Sequence, residues 1–494
     1  VTSSERVDPE SRETPYADAV AKNAAEDLLR LNIPGHSADR DAAPALSEFF
    51  GDEVLKRDIG PLLSGIDKGP DNPYDRSLAL AAKAWGARRT WFLTNGASQA
   101  NRIGALALGA YGREDQPVVV QRSAHSSFID GIILAGLVPV FAHPVIGDHA
   151  GIAHGVSPAE LERALAMATD PKGVYVVTPS YFGAVADVQS LTQVAHAAGV
   201  PIIVDESWGA HFGFHPELPR NSLALGADLV VSSTHKLGGS LTQSAMLHLG
   251  NGPFADVLEP LVHRAFLITM STSASALLLA SLDIARHALQ NGSERIGESI
   301  AAAARIRQKL RDGGRFKIVS DSWGPDDAVA ADPLRVSVDV RSAGLNGHAV
   351  RNELIRADGI YTEIATDACI VAFLGPGFAP DEDRFVDALN RLKPVGSLAY
   401  AETLTLALPR PGALHIRPRD AWFASAVAVP ATDAVGRVSA DSLAAYPPGI
   451  PNVLPGEIIS AEVVDFLRKV AASPGGHVRG ASDPAVDFLR VVDA

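Results

Sequence analysis

Two side chains in this chain carry the most chemical information, a carboxylate that ends one apolar run and an amine that follows another. Ile202–Asp205 (IIVD) is short and β-rich, and about thirty residues later stands Ser232-Ser233-Thr234-His235-Lys236. Taken singly, Asp205 reads as a helix cap and Lys236 as a solvated turn lysine. Taken together they supply a carboxylate able to keep a heteroaromatic nitrogen protonated and an amine able to form and exchange an imine.

A third segment extends that pairing. Thr94-Asn95-Gly96-Ala97-Ser98 follows an apolar run and opens a helix expected from near Gln99. Such a turn offers free backbone N–H groups and the positive end of a helix dipole, and Gly96 lets the backbone approach a phosphate closely. Asn-Gly is also a common turn and Ser a common cap, so the loop gains its meaning from its order before Asp205 and Lys236. Carboxylate, lysine and phosphate loop are what an enzyme of pyridoxal 5'-phosphate (PLP) needs, because the protonated pyridine draws electrons from the substrate α-carbon.

His125 follows another apolar run, where an imidazole could stack on the pyridine ring; a lone histidine is otherwise a structural residue. Trp208 could reach the ring oxygen through its indole N–H or pack in the core. His211 and His215 are four apart, but Gly213 and Pro216 argue against a helix there and no third ligand presents itself, so no metal site is expected.

The elements that must position these groups are legible as alternation. Between Trp91 and Leu249 the runs Trp91–Thr94, Val118–Gln121, Val138–Ala142, Val174–Thr178, Ile202–Asp205, Leu229–Ser232 and Ala245–Leu249 alternate with Ala/Leu-rich helical stretches. That pattern predicts an α/β fold whose mostly parallel sheet has helices on both faces. Ser275–Arg311 has helical spacing, Asp321–Pro333 reads as a surface connection, and Arg335–Val340 with Ile370–Leu374 predict a second, smaller α/β unit. Composition shifts again near Pro409–Gly412. The expected division is an N-terminal arm and segment over 1–75, a large domain over 76–320, a small α/β domain over 321–410 and a C-terminal domain over 411–494. Residues 1 to about 15 are expected to form a loose arm.

At 494 residues the chain can bury more than one core, and 47% hydrophobic with 20% charged residues is the balance of a folded protein. The net charge of -14 argues against nucleic acid or an anionic membrane as partner. Cys369, the single cysteine, is expected to be a buried inert thiol in a reducing compartment. No leader or membrane span is legible: Gly131–Ala142 reads as a helix handing over to a buried strand, so the protein is expected to be cytoplasmic.

The run Asp205–Pro216 (DESWGAHFGFHP), then Gly226-Ala227-Asp228, Ser233-Thr234-His235-Lys236 and Leu241-Thr242-Gln243, resembles the bacterial ornithine/lysine/arginine decarboxylase family. The likeness continues in Ser281-Leu282-Asp283, Val435-Gly436-Arg437, Tyr446–Pro451 (YPPGIP) and Pro455-Gly456-Glu457, with traces from Pro34 to Pro484. It implies the fold type I architecture of PLP enzymes, a seven-stranded sheet, and the length of the members without an N-terminal receiver-like domain. By this resemblance Lys236 carries the cofactor and Asp205 pairs with its pyridinium. His125 stacks on the ring, and Gly96, Ala97 and Ser98 hold the phosphate with help from Ser233 and His235. A homodimer or assembly of dimers is implied as well, with Thr272-Ser273 reaching the neighbouring subunit's phosphate.

The chain departs from the family pattern at Ser37, Ala97, Ala274, Ala276 and Val427, the last where a glutamate is usual. Those changes bear on substrate recognition more than on the cofactor. The implied reaction is decarboxylation of arginine, lysine or ornithine, with Lys236 or His235 returning a proton to the α-carbon. The substrate's distal cation would meet Glu457 or Asp441, unless both are solvated surface carboxylates. Transamination or racemization would need the same Lys236 and Asp205, and a turnover-deficient regulatory protein would keep them as well.

Overall fold

The computed structural model describes residues 9–147, 152–400, 409–446, 450–472 and 476–493. The seven runs form the central sheet: β1 (Arg89–Leu93), β2 (Pro117–Gln121), β3 (Val138–Ala142), β4 (Val174–Val177), β5 (Ile202–Asp205), β6 (Leu229–Ser232) and β7 (Ala245–Leu249). Their order is β1-β7-β6-β5-β4-β2-β3. β2 pairs in parallel with β3 and β4, and β4 with β5, whereas β7 runs antiparallel to both β1 and β6. β5, β6 and β7 are buried along their whole length. That is why they read as unbroken apolar runs with no alternation.

By contact density the chain divides into two compact units. The first comprises residues 1–100, 206–297 and 375–377; the second comprises 101–205, 298–374 and 378–494.

In the first unit a buried carboxylate organises the N-terminal helices. Helix α1 (Pro15–Ala25) has Thr14 at its N-cap without a side-chain capping bond, the Thr14 hydroxyl donating to Asp18 Oδ1 at 2.9 Å. Its exposed donors go instead to Asp283, on the helix Ala276–Gln290: Oδ2 accepts from Tyr16 N (3.0 Å), Ala17 N (3.3 Å) and Ser77 Oγ (3.0 Å). Arg286 neutralises the same carboxylate at 2.9 Å. The free N–H groups of a helix start demand acceptors, and here a distant residue provides them. The segment before α1 is tied down from Glu10 onward, since Glu10 pairs with Lys83 and Glu13 with Arg76. Residues 1–8 of the expected loose arm lie outside the described residues.

In the second unit an antiparallel sheet joins β8 (Lys317–Ile318), β9 (Arg335–Asp339), β11 (Cys369–Phe373) and β10 (Ile364–Ala365) in that order. Cys369 is buried in it, and burial pushes its thiol pKa up to about 12, which leaves it protonated and unreactive. Toward the C-terminus Ala426–Pro430 pairs with Phe488–Val492, and Leu443–Tyr446 pairs with both Pro451–Val453 and His477–Arg479. These elements close over an apolar cluster that includes Leu443, Val453, Ile459, Val463, Leu467 and Val491.

Candidate active site

Asp205 ends β5, and its side chain is 2% exposed. Its Oδ2 accepts from Tyr175 OH at 2.8 Å and from Asn101 Nδ2 at 3.0 Å. Tyr175 lies on β4, whose Val177 stands opposite Asp205 in register, and Asn101 lies on the helix α2 (Gly96–Ala110). Two donors thus converge on one carboxylate oxygen. Burial, with the Asp205 charge second, pushes the Tyr175 hydroxyl well above its ordinary pKa, so it stays a donor. Phe128 stacks on the Tyr175 ring with centroids 3.5 Å apart and fixes its plane.

His125 is the N-cap of the helix α3 (Ser126–Ala135), where its Nδ1 accepts from Ser127 N at 3.2 Å and lies 2.8 Å from Ser127 Oγ. Arg122, just past β2, holds Glu457 in a buried ion pair through both guanidinium nitrogens, and its Nε donates to Pro451 O at 3.1 Å.

In the first unit, Lys236 Nζ sits 3.9 Å from the centroid of the Trp208 ring, a cation over an aromatic face. The Trp208 ring face thus packs against the Lys236 amine. His235 Nδ1 donates to Ser244 O at 2.9 Å, because a carbonyl can only accept, and lies 3.3 Å from Ser233 Oγ. The helix α2 begins at Gly96, not near Gln99, so Gly96, Ala97 and Ser98 form its first turn. Gly96 has φ +71°, which a β-carbon would strain. Gln243 Nε2 donates to Asn95 Oδ1 at 3.4 Å beside that turn. Thr272 and Ser273 are exposed, with Ser273 N bonded to Ser271 Oγ at 3.2 Å.

The structure corrects one expectation. Glu457 is 1% exposed, with one oxygen taken by Arg122 and the other shared between Arg122 and Leu454 N. A carboxylate so committed holds the fold and is not offered to a substrate cation, nor is it a solvated surface group. Asp441 faces Arg490 at 3.3 Å, and burial pushes its pKa up with Arg490 opposing. His211 and His215 lie in turns, and among the described residues no group of three potential metal ligands occurs. Sequence reading missed Asn101 and Tyr175. Their signal was weak: an amide five residues beyond Gly96, and the one hydroxyl-bearing side chain in Val174–Val177. A cavity of about 370 Å³ is lined by Ile306, Val336, Tyr361, Phe373 and Phe378 and contains none of these residues.

The family model for the Orn/Lys/Arg decarboxylase major domain matches residues 14–381, and the model for the C-terminal domain of the same family matches residues 413–480. The chain belongs to the Orn/Lys/Arg decarboxylase family. It is an enzyme of the decarboxylase class. This decarboxylase is 35% identical over 487 residues to an arginine decarboxylase of Bacillus subtilis, covering 97% of this chain and 98% of that one. A Bacillus anthracis arginine decarboxylase is 33% identical over 488 residues, with 97% of each chain covered. In fold, the decarboxylase is similar to lysine decarboxylase A from Pseudomonas aeruginosa, with a TM-score of 0.83 at 19% identity over 97% of this chain and 80% of that one. The fold is that of the type I decarboxylases.

Proposed function

We propose that this chain decarboxylates a basic L-amino acid, with arginine the first choice over lysine and ornithine, using pyridoxal 5'-phosphate. The observation that carries the reading is Asp205, a buried strand-end carboxylate that accepts from both Tyr175 and Asn101, in a chain of this family. The choice of arginine rests on the relatives, whose printed activity is arginine decarboxylation at 35% and 33% identity.

The residues fit the cofactor by their chemistry. Asp205 would keep its pyridine nitrogen protonated, and Lys236 would anchor it covalently through the amine. His125 would cover the ring, while Gly96, Ala97, Ser98, Ser233 and His235 would hold the phosphate, with Thr272 and Ser273 serving the neighbouring subunit of a dimer. When bound, the cofactor takes up the electron pair released with carbon dioxide. Trp208 orients the Lys236 amine through its ring face. Lys236 or His235 returns a proton to the α-carbon, and the bond from His235 Nδ1 to Ser244 O leaves Nε2 as the nitrogen for that transfer. On this reading residues 76–320 form the cofactor domain. Asp441 is the carboxylate proposed for the substrate's distal cation; Asp441→Asn should raise KM about tenfold with kcat unchanged, and an unchanged KM removes it from the site.

The deciding experiment supplies PLP with arginine, lysine or ornithine in separate reactions and measures amine and carbon dioxide, with Lys236→Ala as the blank. One amine that vanishes in the blank is the expected result. A keto acid or the enantiomer in place of amine would overturn decarboxylation, and no product from any of the three would overturn the basic substrate class.

A further inference from the structure

Four buried side chains of the second unit and the exposed His125 form one continuous hydrogen-bonded chain. Tyr175 OH and Asn101 Nδ2 meet Asp205 Oδ2 at 2.8 and 3.0 Å, Asn101 Nδ2 also reaches Ser127 Oγ at 3.0 Å, and Ser127 Oγ lies 2.8 Å from His125 Nδ1. Asn101, Ser127, Tyr175 and Asp205 are each no more than 2% exposed, so water does not compete for the bonds among these four.

The direction of every bond follows from its first member. A carboxylate can only accept, so the Asn101 atom 3.0 Å from Asp205 must be the amide nitrogen, whichever way an isolated amide could be drawn. That nitrogen has two protons. One goes to Asp205, and the other goes to Ser127 Oγ. Having accepted from Asn101, the Ser127 hydroxyl turns its own proton to His125 Nδ1, and the backbone N–H of Ser127 points at the same nitrogen from 3.2 Å. The Tyr175 hydroxyl has a single proton, directed at Asp205 over the shorter distance, and the Asn101 carbonyl oxygen lies 3.1 Å from the same hydroxyl.

We infer that the charge on Asp205, relayed through Asn101 and Ser127, fixes His125 as the tautomer with its proton on Nε2 and holds the ring in one orientation. Asn101 and Ser127 are thus positioning residues for His125. The inference rests on the proposed function only for what His125 is positioned to do; the tautomer itself follows from the bonds.

The test reads the tautomer directly. Nitrogen NMR of the ¹⁵N-histidine-labelled full chain, with no cofactor added, should show His125 with an acceptor-type Nδ1 and a protonated Nε2. A protonated Nδ1 in the unaltered protein would overturn the inference. Ser127→Ala and Asn101→Leu should each move the Nδ1 resonance, since one removes the hydroxyl donor and the other frees it to rotate. An Nδ1 resonance unmoved in both, with folding confirmed by circular dichroism, would also overturn it. Affinity for PLP, titrated by absorbance, should weaken about tenfold in Asn101→Leu, on the scale of one lost bond to a charged group. This is separable from the reading of the site: amine formation that survives Lys236→Ala would sink the proposed function and leave the tautomer result standing.

Discussion

Two carboxylates in the second unit are equally buried and are held in opposite ways. Glu457 is bound by a guanidinium, Arg122, which cancels its charge. Asp205 accepts from an amide and a phenol, Asn101 and Tyr175, donors that carry no charge of their own. Asp283 with Arg286, in the first unit, and Asp332 with Arg335, in the second, repeat the Glu457 arrangement. A guanidinium pair cancels a buried charge, whereas donors such as Asn101 and Tyr175 satisfy a carboxylate oxygen by hydrogen bonding.

Isosteric amides put the comparison under most pressure. Asp205→Asn should lower kcat by about a thousandfold or more with little change in melting temperature, because it removes charge and keeps shape. Glu457→Gln should do the reverse: activity per folded molecule unchanged within about twofold, and stability down by about 3–5 kcal/mol because Arg122 is left buried with its charge uncompensated. Denaturant unfolding beside steady-state kinetics checks both, and loss of activity at constant stability in Glu457→Gln would break the contrast. Arg122→Met combined with Glu457→Leu should recover most of the lost stability.

A smaller effect sharpens the same point. Tyr175→Phe removes one of the two donors to Asp205, so kcat should fall about tenfold and stability by about 1–2 kcal/mol, read in the same assays.

The last prediction concerns a buried group with no ionic partner among its described contacts. His248 is stacked on Trp85 with centroids 5.0 Å apart, and its Nδ1 meets Thr90 Oγ1 at 2.9 Å. Burial pushes its pKa from 6.5 down to about 3. The unfolded imidazole takes a proton below about 6.5 while the folded one does not until about 3, so the folded state binds fewer protons in that window. Stability should therefore fall as pH drops across it, by up to about 1.4 kcal/mol per pH unit. His248→Gln should flatten that part of the stability profile, measured by denaturant titration at several pH values.

The seven central strands were legible in the chain within a residue or two at each end, because a strand buried on both faces must be apolar throughout and Gly, Pro and Asp punctuate it. The elements after Pro409 were not, since strands as short as Pro451–Val453 carry too few residues for a period. Asp205, Lys236, His125 and the Gly96 turn stood out from residue type and order alone, as did the family. Helix α2 starts three residues early because Gln99 N bonds to Asn95 O, a detail that residue preferences at a turn do not fix.

What the sequence determined by itself was the alternation of elements and the family of the chain, because these depend on residue type and local order. What only the tertiary structure decided was how each buried carboxylate is held. Asn101 and Tyr175 are 104 and 30 residues from Asp205, and Arg122 is 335 from Glu457. Chain order does not encode which distant donor meets a given oxygen; folding does, by removing water and leaving each buried polar atom to the partner that the packed elements bring to it.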